Sequence, residues 1–368
     1  MKIAYDAQIF YEQAYGGVSR YICEIASRIS RFEDMDASIT APMHINSYLE
    51  HLPQELVSGF RLPGVHRLPL SLRAAGMLMG DVMLRAMAPG LIHETYYFPY
   101  RLGPRRARRV LTIHDMIHEK LPSYFATTDR TPRFKLMAAK RADHIICVSE
   151  QTRRDLIDIQ GTDPDKVSVV YHGVGLLAEG AGVGKNVPPY DQPFLLYVGP
   201  RGGYKNFSSL LRAYAASTRL QNDYLLVCFG GGNFSAAERE TIGKLGLGDG
   251  RVVQLGGGDQ VLAALYRSAL AFVYPSLYEG FGIPPLEAMT FNCPVICGKG
   301  GSIAEVVGDA GEYFDPTDVE NMRHVMESIA ESASRRDALI AKGRQRLTLF
   351  SWDRCAQETA AIYRKLAW

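Results

Sequence analysis

Glu279 and Glu287 stand with seven residues between them in Tyr274-Pro275-Ser276-Leu277-Tyr278-Glu279-Gly280-Phe281-Gly282-Ile283-Pro284-Pro285-Leu286-Glu287, where an apolar run gives way to a helix. An ionised carboxylate accepts two or more O–H donors, so two of them around a glycine-rich backbone suit a neutral polyhydroxyl ligand. Pro284 and Pro285 fix the helix start, since a proline is tolerated in a first turn whose N–H groups are unpaired anyway. Arg201 and Lys205 lie four apart in Gly199-Pro200-Arg201-Gly202-Gly203-Tyr204-Lys205-Asn206, and two cations in such a loop suit a pyrophosphate. Thr112-Ile113-His114-Asp115 ends another apolar run in an imidazole beside a carboxylate, either a site group or a hydrogen-bonded structural histidine. Gly16-Gly17 precede an amphipathic stretch, where backbone N–H groups and the helix dipole favour a phosphate, although a plain turn reads the same way.

These groups need a frame that brings loop ends together. Short apolar runs alternate with longer amphipathic segments, the pattern of βα units wound about a parallel sheet, and the alternation restarts once. In the first half it predicts strands at 2–5, 110–113, 145–148 and 167–171 and helices at 18–31, 133–142 and 150–159. In the second half it predicts strands at 194–198, 224–229, 252–255, 271–274 and 295–297, with helices near 208–216, 236–245, 260–267, 285–289 and 319–330. The fold class is α/β, with each candidate loop following a strand, where open parallel sheets bind ligands. Between the halves, Gly173 to Pro193 is rich in glycine and proline and reads as a linker. Its glycines do not follow a strand and open a helix, which argues against a dinucleotide fingerprint, and no P-loop pattern occurs.

Length and composition limit the alternatives. A chain of 368 residues favours two domains. Hydrophobic residues at 47% and charged residues at 22% exclude wholesale disorder. A net charge of +2 is too balanced for a surface built for nucleic acid, and no nucleic-acid motif appears. The first residues carry no secretory signal, and no apolar run is long enough to span a membrane, so a cytoplasmic location is expected. The six cysteines sit mostly in apolar runs and read as reduced core thiols; no metal site is expected from them. From Arg101 to Arg141, eleven Lys or Arg face three acids, a local basic face beside the Met- and Leu-rich stretch 71–88. Together these could touch the inner face of an anionic membrane or a lipid-linked saccharide, the alternative being a core helix with solvated arginines.

Gly16-Gly17, His114-Asp115, the Arg201/Lys205 loop and Glu-Gly-Phe-Gly-x-Pro-x-x-Glu, taken in that order, resemble glycosyltransferase family 4, the retaining nucleotide-sugar transferases of GT-B fold, over nearly the whole chain. Phe350-Ser351-Trp352 before a last helix is similar too. The resemblance implies two Rossmann-like, doubly wound parallel-sheet domains facing an interdomain cleft: an acceptor-binding domain at 1–175, with a helix at 352–368 packing back on it, and a donor-binding domain at 176–351. It implies that Gly16 and Gly17 contact the donor diphosphate and that Arg201 and Lys205 neutralise it. His114 would lie by the transferred sugar, Glu279 and the amides of Phe281, Gly282 and Ile283 would hold its hydroxyls, and Glu287 would bind the ribose. The Arg-to-Lys spacing is shorter than in many relatives, which leaves Lys205 the firmer of the two. The Asp-x-Asp pattern Asp34-Met35-Asp36 lies at a helix end away from the phosphate loops, so no metal cofactor is expected. The mannosyltransferase-like branch is the most similar, which implies a GDP-linked hexose donor and a saccharide or lipid-linked saccharide acceptor in surface polysaccharide synthesis. A UDP-sugar-dependent glucosyltransferase, a nucleotide-sugar epimerase and a non-catalytic donor-binding subunit are the alternatives.

Overall fold

The computed structural model describes residues 1–62, 70–175, 190, 192–248 and 250–367. It divides into two compact units, Met1–Gly173 with Ser351–Trp368, and Val174–Phe350. Most of the expected linker, residues 176–189 and 191, lies outside the described residues.

The first unit is a seven-stranded parallel sheet of β1 (Lys2–Tyr5), β2 (Asp36–His44), β3 (Val57–Arg61), β4 (Leu91–Glu94), β5 (Arg108–Ile113), β6 (His144–Cys147) and β7 (Val167–Val169), in the order β3-β2-β1-β4-β5-β6-β7. The order reverses between β1 and β4, which are hydrogen-bonded with Ile3 opposite Leu91. In a doubly wound sheet that reversal parts the flanking loops and opens a crevice at the strand carboxyl ends. β4 and β6 are buried throughout and β1 from Ile3 onward, as expected when helices cover both faces of a parallel sheet. The helix Gly17–Ile29 lays its apolar face on this sheet, burying Tyr21, Ile22, Ile25 and Ile29 completely. The last helix, Trp352–Ala367, packs beside it and belongs to the first unit. Arg28 pairs with Asp353 at 2.7 Å, Arg364 pairs with Asp34 at 2.7 Å, and Trp352, Cys355, Ala356 and Tyr363 join the core. Asp34, the first residue of the Asp-x-Asp pattern, is therefore held by an arginine.

The second unit repeats the plan with six parallel strands: β8 (Phe194–Val198), β9 (Leu225–Phe229), β10 (Val252–Leu255), β11 (Ala271–Tyr274), β12 (Val295–Gly298) and β13 (Gly311–Phe314), ordered β10-β9-β8-β11-β12-β13. Here the reversal falls between β8 and β11. All six cysteines are free and buried, and burial pushes the thiols of Cys23, Cys147, Cys228, Cys293, Cys297 and Cys355 above their ordinary range. No helix among the described residues is long and apolar enough to cross a membrane.

Candidate active site

In the second unit the loops after β8 and β11 meet at the reversal point and are stitched together. The Leu277 N–H donates to the Tyr204 carbonyl at 2.9 Å, and the Asn206 side-chain amide donates to Pro275 O at 3.1 Å and Pro316 O at 2.7 Å. Asn206 holds a left-handed φ of 58° and starts the helix Phe207–Ala215. This geometry brings Lys205 and Glu279 into direct contact: Nζ donates to Oε1 at 2.7 Å, with the side chains only 15% and 10% exposed. The ammonium also lies over the rings of Tyr204 and Tyr274, at 5.1 and 5.5 Å from their centroids. A buried ion pair gains little net stability because desolvation offsets the attraction, but removing one partner leaves a stranded charge costing about 3–5 kcal/mol. Burial, and next the Glu279 charge, push the Tyr274 hydroxyl well above its ordinary range, so it stays a neutral donor.

The Glu279 loop is braced from behind by a segment that sequence reasoning did not single out. Ser302 Oγ donates to the carbonyls of Glu279 at 3.0 Å and Phe281 at 2.9 Å, and the Ser302 N–H donates to Glu279 O at 3.0 Å. Gly301, at φ 63°, passes so close that a Cβ would sit 2.3 Å from the Glu279 carbonyl oxygen. Gly282, at φ 103°, is the cap of the helix Ile283–Thr290, with Pro284 and Pro285 in its first turn, so the chain reverses into the helix there. Phe281 is buried with an edge-to-face contact to Phe350 at 5.7 Å. Glu287 lies inside the helix and is 7% exposed, like Glu279. Burial, then the nearby Glu287 charge, raise the Tyr266 hydroxyl well above its ordinary value.

Arg201 is turned away from the pairing expected with Lys205. Its side chain is 3% exposed, with Nε donating to Glu238 Oε1 at 2.7 Å. Nη1 donates to Gly230 O at 2.7 Å, and Nη2 donates to Gly232 O at 2.9 Å and Asn233 O at 3.1 Å. The guanidinium stacks on Phe234 at 4.8 Å. A planar fork with five donors suits such a cluster of carbonyls and a carboxylate. Glu238 also closes a capping box with Ser235 at the start of the helix Ala236–Lys244. Burial opposes its ionisation, yet hydrogen bonds from Arg201 and Ser235 hold its carboxyl below the usual range. In this conformation Arg201 shapes the loop after β9, and Lys205 is the cation directed to the β8–β11 reversal.

In the first unit Gly16 caps the helix Gly17–Ile29, and the Gln13 carboxamide oxygen lies across that terminus, accepting from the Ser19 N–H at 3.2 Å. His114 follows β5, and its N–H donates to the Tyr97 hydroxyl at 3.2 Å. Its ring meets Tyr21 edge-on at 5.3 Å and stacks near His172 at 5.8 Å. Its Nε2 is buried without a hydrogen-bond partner. Burial pulls the imidazole down to about 4, against the raising effect of Asp115, so it is neutral near pH 7. Asp115 does not clasp that ring: its Oδ1 accepts from the Ile117 N–H at 3.1 Å and faces Lys135 at 3.5 Å. His93, absent from the sequence reading, lies behind, with Nδ1 2.5 Å from Tyr363 Oη and Nε2 2.8 Å from Thr112 Oγ1. Burial lowers it to about 3. The short run Leu91-Ile92-His93-Glu94 carries no strand signal of its own, and the partner Tyr363 comes from the far end of the chain.

The basic segment 101–141 presents less charge outward than its composition implied. Arg109 and Lys135 are fully buried, facing Glu94 at 3.6 Å and Glu119 at 2.9 Å. Arg141 holds Glu94 through two nitrogens, at 3.0 and 2.7 Å. The acids that compensate these bases, Glu94 among them, lie partly outside the counted segment. Among the described residues no group of three His, Cys, Asp or Glu could hold a metal ion.

Two family descriptions divide the chain between them. Residues 15–176 match Glycosyltransferase Family 4, and residues 183–346 match Glycosyl transferases group 1. The chain belongs to the family 4 glycosyltransferases. The transferase is 29% identical over 384 residues to the O-antigen chain mannosyltransferase B of Escherichia coli, covering 95% of this chain and 96% of that one. Its fold is shared with the sucrose-phosphate synthase of Thermosynechococcus elongatus, at TM-score 0.77 and 19% identity over 99% and 98% of the two chains. It is shared also with Anabaena HepE, solved in complex with UDP-glucose, at TM-score 0.72 and 20% identity over 99% and 100%. These likenesses establish the GT-B architecture, two parallel-sheet Rossmann-like units.

Proposed function

We propose that the transferase moves a mannose-like hexose from a GDP-linked donor to a saccharide or lipid-linked saccharide acceptor during surface polysaccharide synthesis. The observation that carries this reading is the Lys205–Glu279 pair, a buried cation on a carboxylate at the β8–β11 reversal, with Gly282 and Glu287 opening the helix beside it. Such a site offers positive charge to a diphosphate and carboxylates to hydroxyls. The likeness to an O-antigen mannosyltransferase along its whole length favours mannose.

In the chemistry proposed, the bond between the anomeric carbon and the phosphate oxygen breaks while the acceptor oxygen bonds to that carbon on the same face. The acceptor proton passes to the departing phosphate, which retains the anomeric configuration. Negative charge grows on the diphosphate, and fixed donors aimed at it lower the barrier. Lys205, moving from Glu279 onto a phosphate oxygen, supplies that charge without a metal ion, and the amides of Gly16 and Gly17 add to it. Glu279, with the amides of Phe281 to Ile283, holds the sugar hydroxyls and Glu287 the ribose. His114 offers a neutral nitrogen to the sugar. The work is placed on the cytoplasmic side of the membrane, with peripheral contact through the exposed bases of 101–141.

Thermal shift against GDP, UDP, ADP, TDP and their sugar conjugates, with and without EDTA, tests this reading, because a ligand at a hundred times its Kd stabilises the native state by about 2.7 kcal/mol. GDP and GDP-mannose should raise the melting temperature in EDTA, and Lys205→Ala or Glu287→Ala should abolish the shift. A shift confined to UDP ligands overturns the GDP assignment, and one that EDTA removes overturns metal independence. Conversion of the donor to a second nucleotide sugar without acceptor overturns the transfer.

A further inference from the structure

At the other reversal point, between β1 and β4, the first unit holds a cavity of about 760 Å³ lined by Gln8, the Tyr96–Leu102 segment, Phe134 and the helix Leu70–Met87. That volume lies in the range of about 300–1,000 Å³ typical of ligand sites. The cavity's rings are ordered against one another: Tyr96 stacks on Tyr97 at 4.5 Å, and Phe98 meets Tyr100 edge-on at 5.5 Å. Tyr100 is nonetheless 69% exposed, a large aromatic surface with nothing of this unit folded over it.

Gln8, which lines the cavity, is backed by Asp6, just past β1, and Thr95, just past β4. Asp6 accepts from Thr95 Oγ1 at 2.6 Å, from the Thr95 N–H at 3.1 Å and from Gln8 Nε2 at 2.5 Å. That last bond fixes the Gln8 carboxamide and sets its Oε1 as an acceptor. Gln8 is only 5% exposed, and Oε1 is buried with no hydrogen-bond partner. A stranded buried acceptor costs on the order of 1–3 kcal/mol, so a ligand hydroxyl arriving there recovers that amount.

We propose that this cavity is the subsite for the terminal sugar of the glycan acceptor, an inference that rests on the transferase reading above. A sugar presents hydroxyls at its edge and C–H groups on its faces, which matches one fixed amide acceptor beside a run of tyrosine and phenylalanine rings. An isoprenoid chain would fill the aromatic part and leave Gln8 Oε1 stranded. The exposed Leu78, 64% accessible on the wall helix, extends the rim for a second saccharide unit.

The test uses the full chain and saturation-transfer NMR with mannotriose and methyl α-glycosides of mannose, glucose, galactose and rhamnose, with farnesyl phosphate as the isoprenoid probe. One or more saccharides should bind saturably, and Tyr100→Ala and Gln8→Ala should each weaken that binding about tenfold, which corresponds to about 1.4 kcal/mol. In turnover, Tyr100→Ala should raise the acceptor KM about tenfold while the donor KM moves less than twofold. Tyr100 is exposed, so its truncation tests the site even where Gln8→Ala fails to fold. Saccharide binding untouched by both variants overturns the proposal, as does farnesyl phosphate binding that is lost in Tyr100→Ala while no sugar binds. A chain that binds GDP or UDP but no saccharide refutes this subsite and leaves the transferase reading intact. Saccharide binding on Tyr100 without nucleotide binding upholds the subsite and unseats the donor assignment.

Discussion

The two sheets reverse their strand order in the same way, yet the crevices they open are electrostatic opposites. Between β8 and β11 the chain places a formal ion pair, Lys205 on Glu279, under tyrosine rings. Between β1 and β4 and onward to β5 it places two imidazoles that burial holds neutral, His93 at about 3 and His114 at about 4, beside Asp6, whose carboxyl burial raises against hydrogen bonds from Thr95 and Gln8. Topology fixes where a ligand can enter, while the first residues after each strand decide what it can be. A cation with a displaceable partner suits a diphosphate. Neutral acceptors suit hydroxyl groups, whose protons they can receive without an ion to desolvate.

The largest expected break in this contrast is Lys205→Met. Removing a donor aimed at the leaving group should lower kcat by about 10²- to 10³-fold. His114→Gln, which exchanges one neutral polar group for another, should cost less than tenfold, and steady-state kinetics on both variants reads the difference. Equal losses would mean that the neutral side carries as much of the barrier as the charged one.

A smaller effect follows from the histidines. In the unfolded chain an imidazole titrates near 6.5, whereas burial depresses His93, His114 and His172 in the fold. Between about pH 6.5 and 4 the unfolded state therefore binds more protons, so stability is full above that window and falls as pH drops through it. Asp6 and Glu94, raised by burial, act in the opposite sense but are two against six, since burial also lowers His44, His118 and His144. The melting temperature of the first unit should fall on acidification from pH 7 to 5, and His114→Gln should lower the slope by at most about 1.4 kcal/mol per pH unit. A melting temperature flat across that range would show that the first crevice is not held neutral.

The charged crevice was far more legible in the sequence than the neutral one. Glu279, Glu287 and Lys205 announce themselves because charges in glycine-rich loops after apolar runs are seldom there for packing. Strands β8, β10 and β11 were expected at the residues where they occur, each a compact apolar run. β2 was hidden by Pro42, which sits where its register to β3 shifts, and β13 reads Gly-Glu-Tyr-Phe, too polar for a buried strand because it lies at the sheet edge. With β4 also unmarked, the pairing of Asp6 with Thr95, and of His93 with Tyr363, had no local signal: the partners are 89 and 270 positions apart. The polarity of 101–141 misled for the same reason, since Glu94, which holds Arg141, precedes the segment.

Arg201 leaves one finer question in the comparison, whether one cation or two serve the charged crevice. If the arginine only shapes the loop after β9, then Glu238→Gln, which keeps the side-chain volume and removes the charge, loosens the carbonyls of Gly230, Gly232 and Asn233 around the guanidinium. A hydrogen bond to a charged group is worth about 1.5–3 kcal/mol, and only part of that reaches a partly exposed carboxylate, so the donor KM should rise roughly three- to tenfold with little change in kcat. If Arg201 instead swings onto the diphosphate, Glu238 is its competitor, and the same substitution lowers the donor KM. The sign of that change, read from donor titrations at fixed acceptor, decides whether the second unit holds its diphosphate with Lys205 alone.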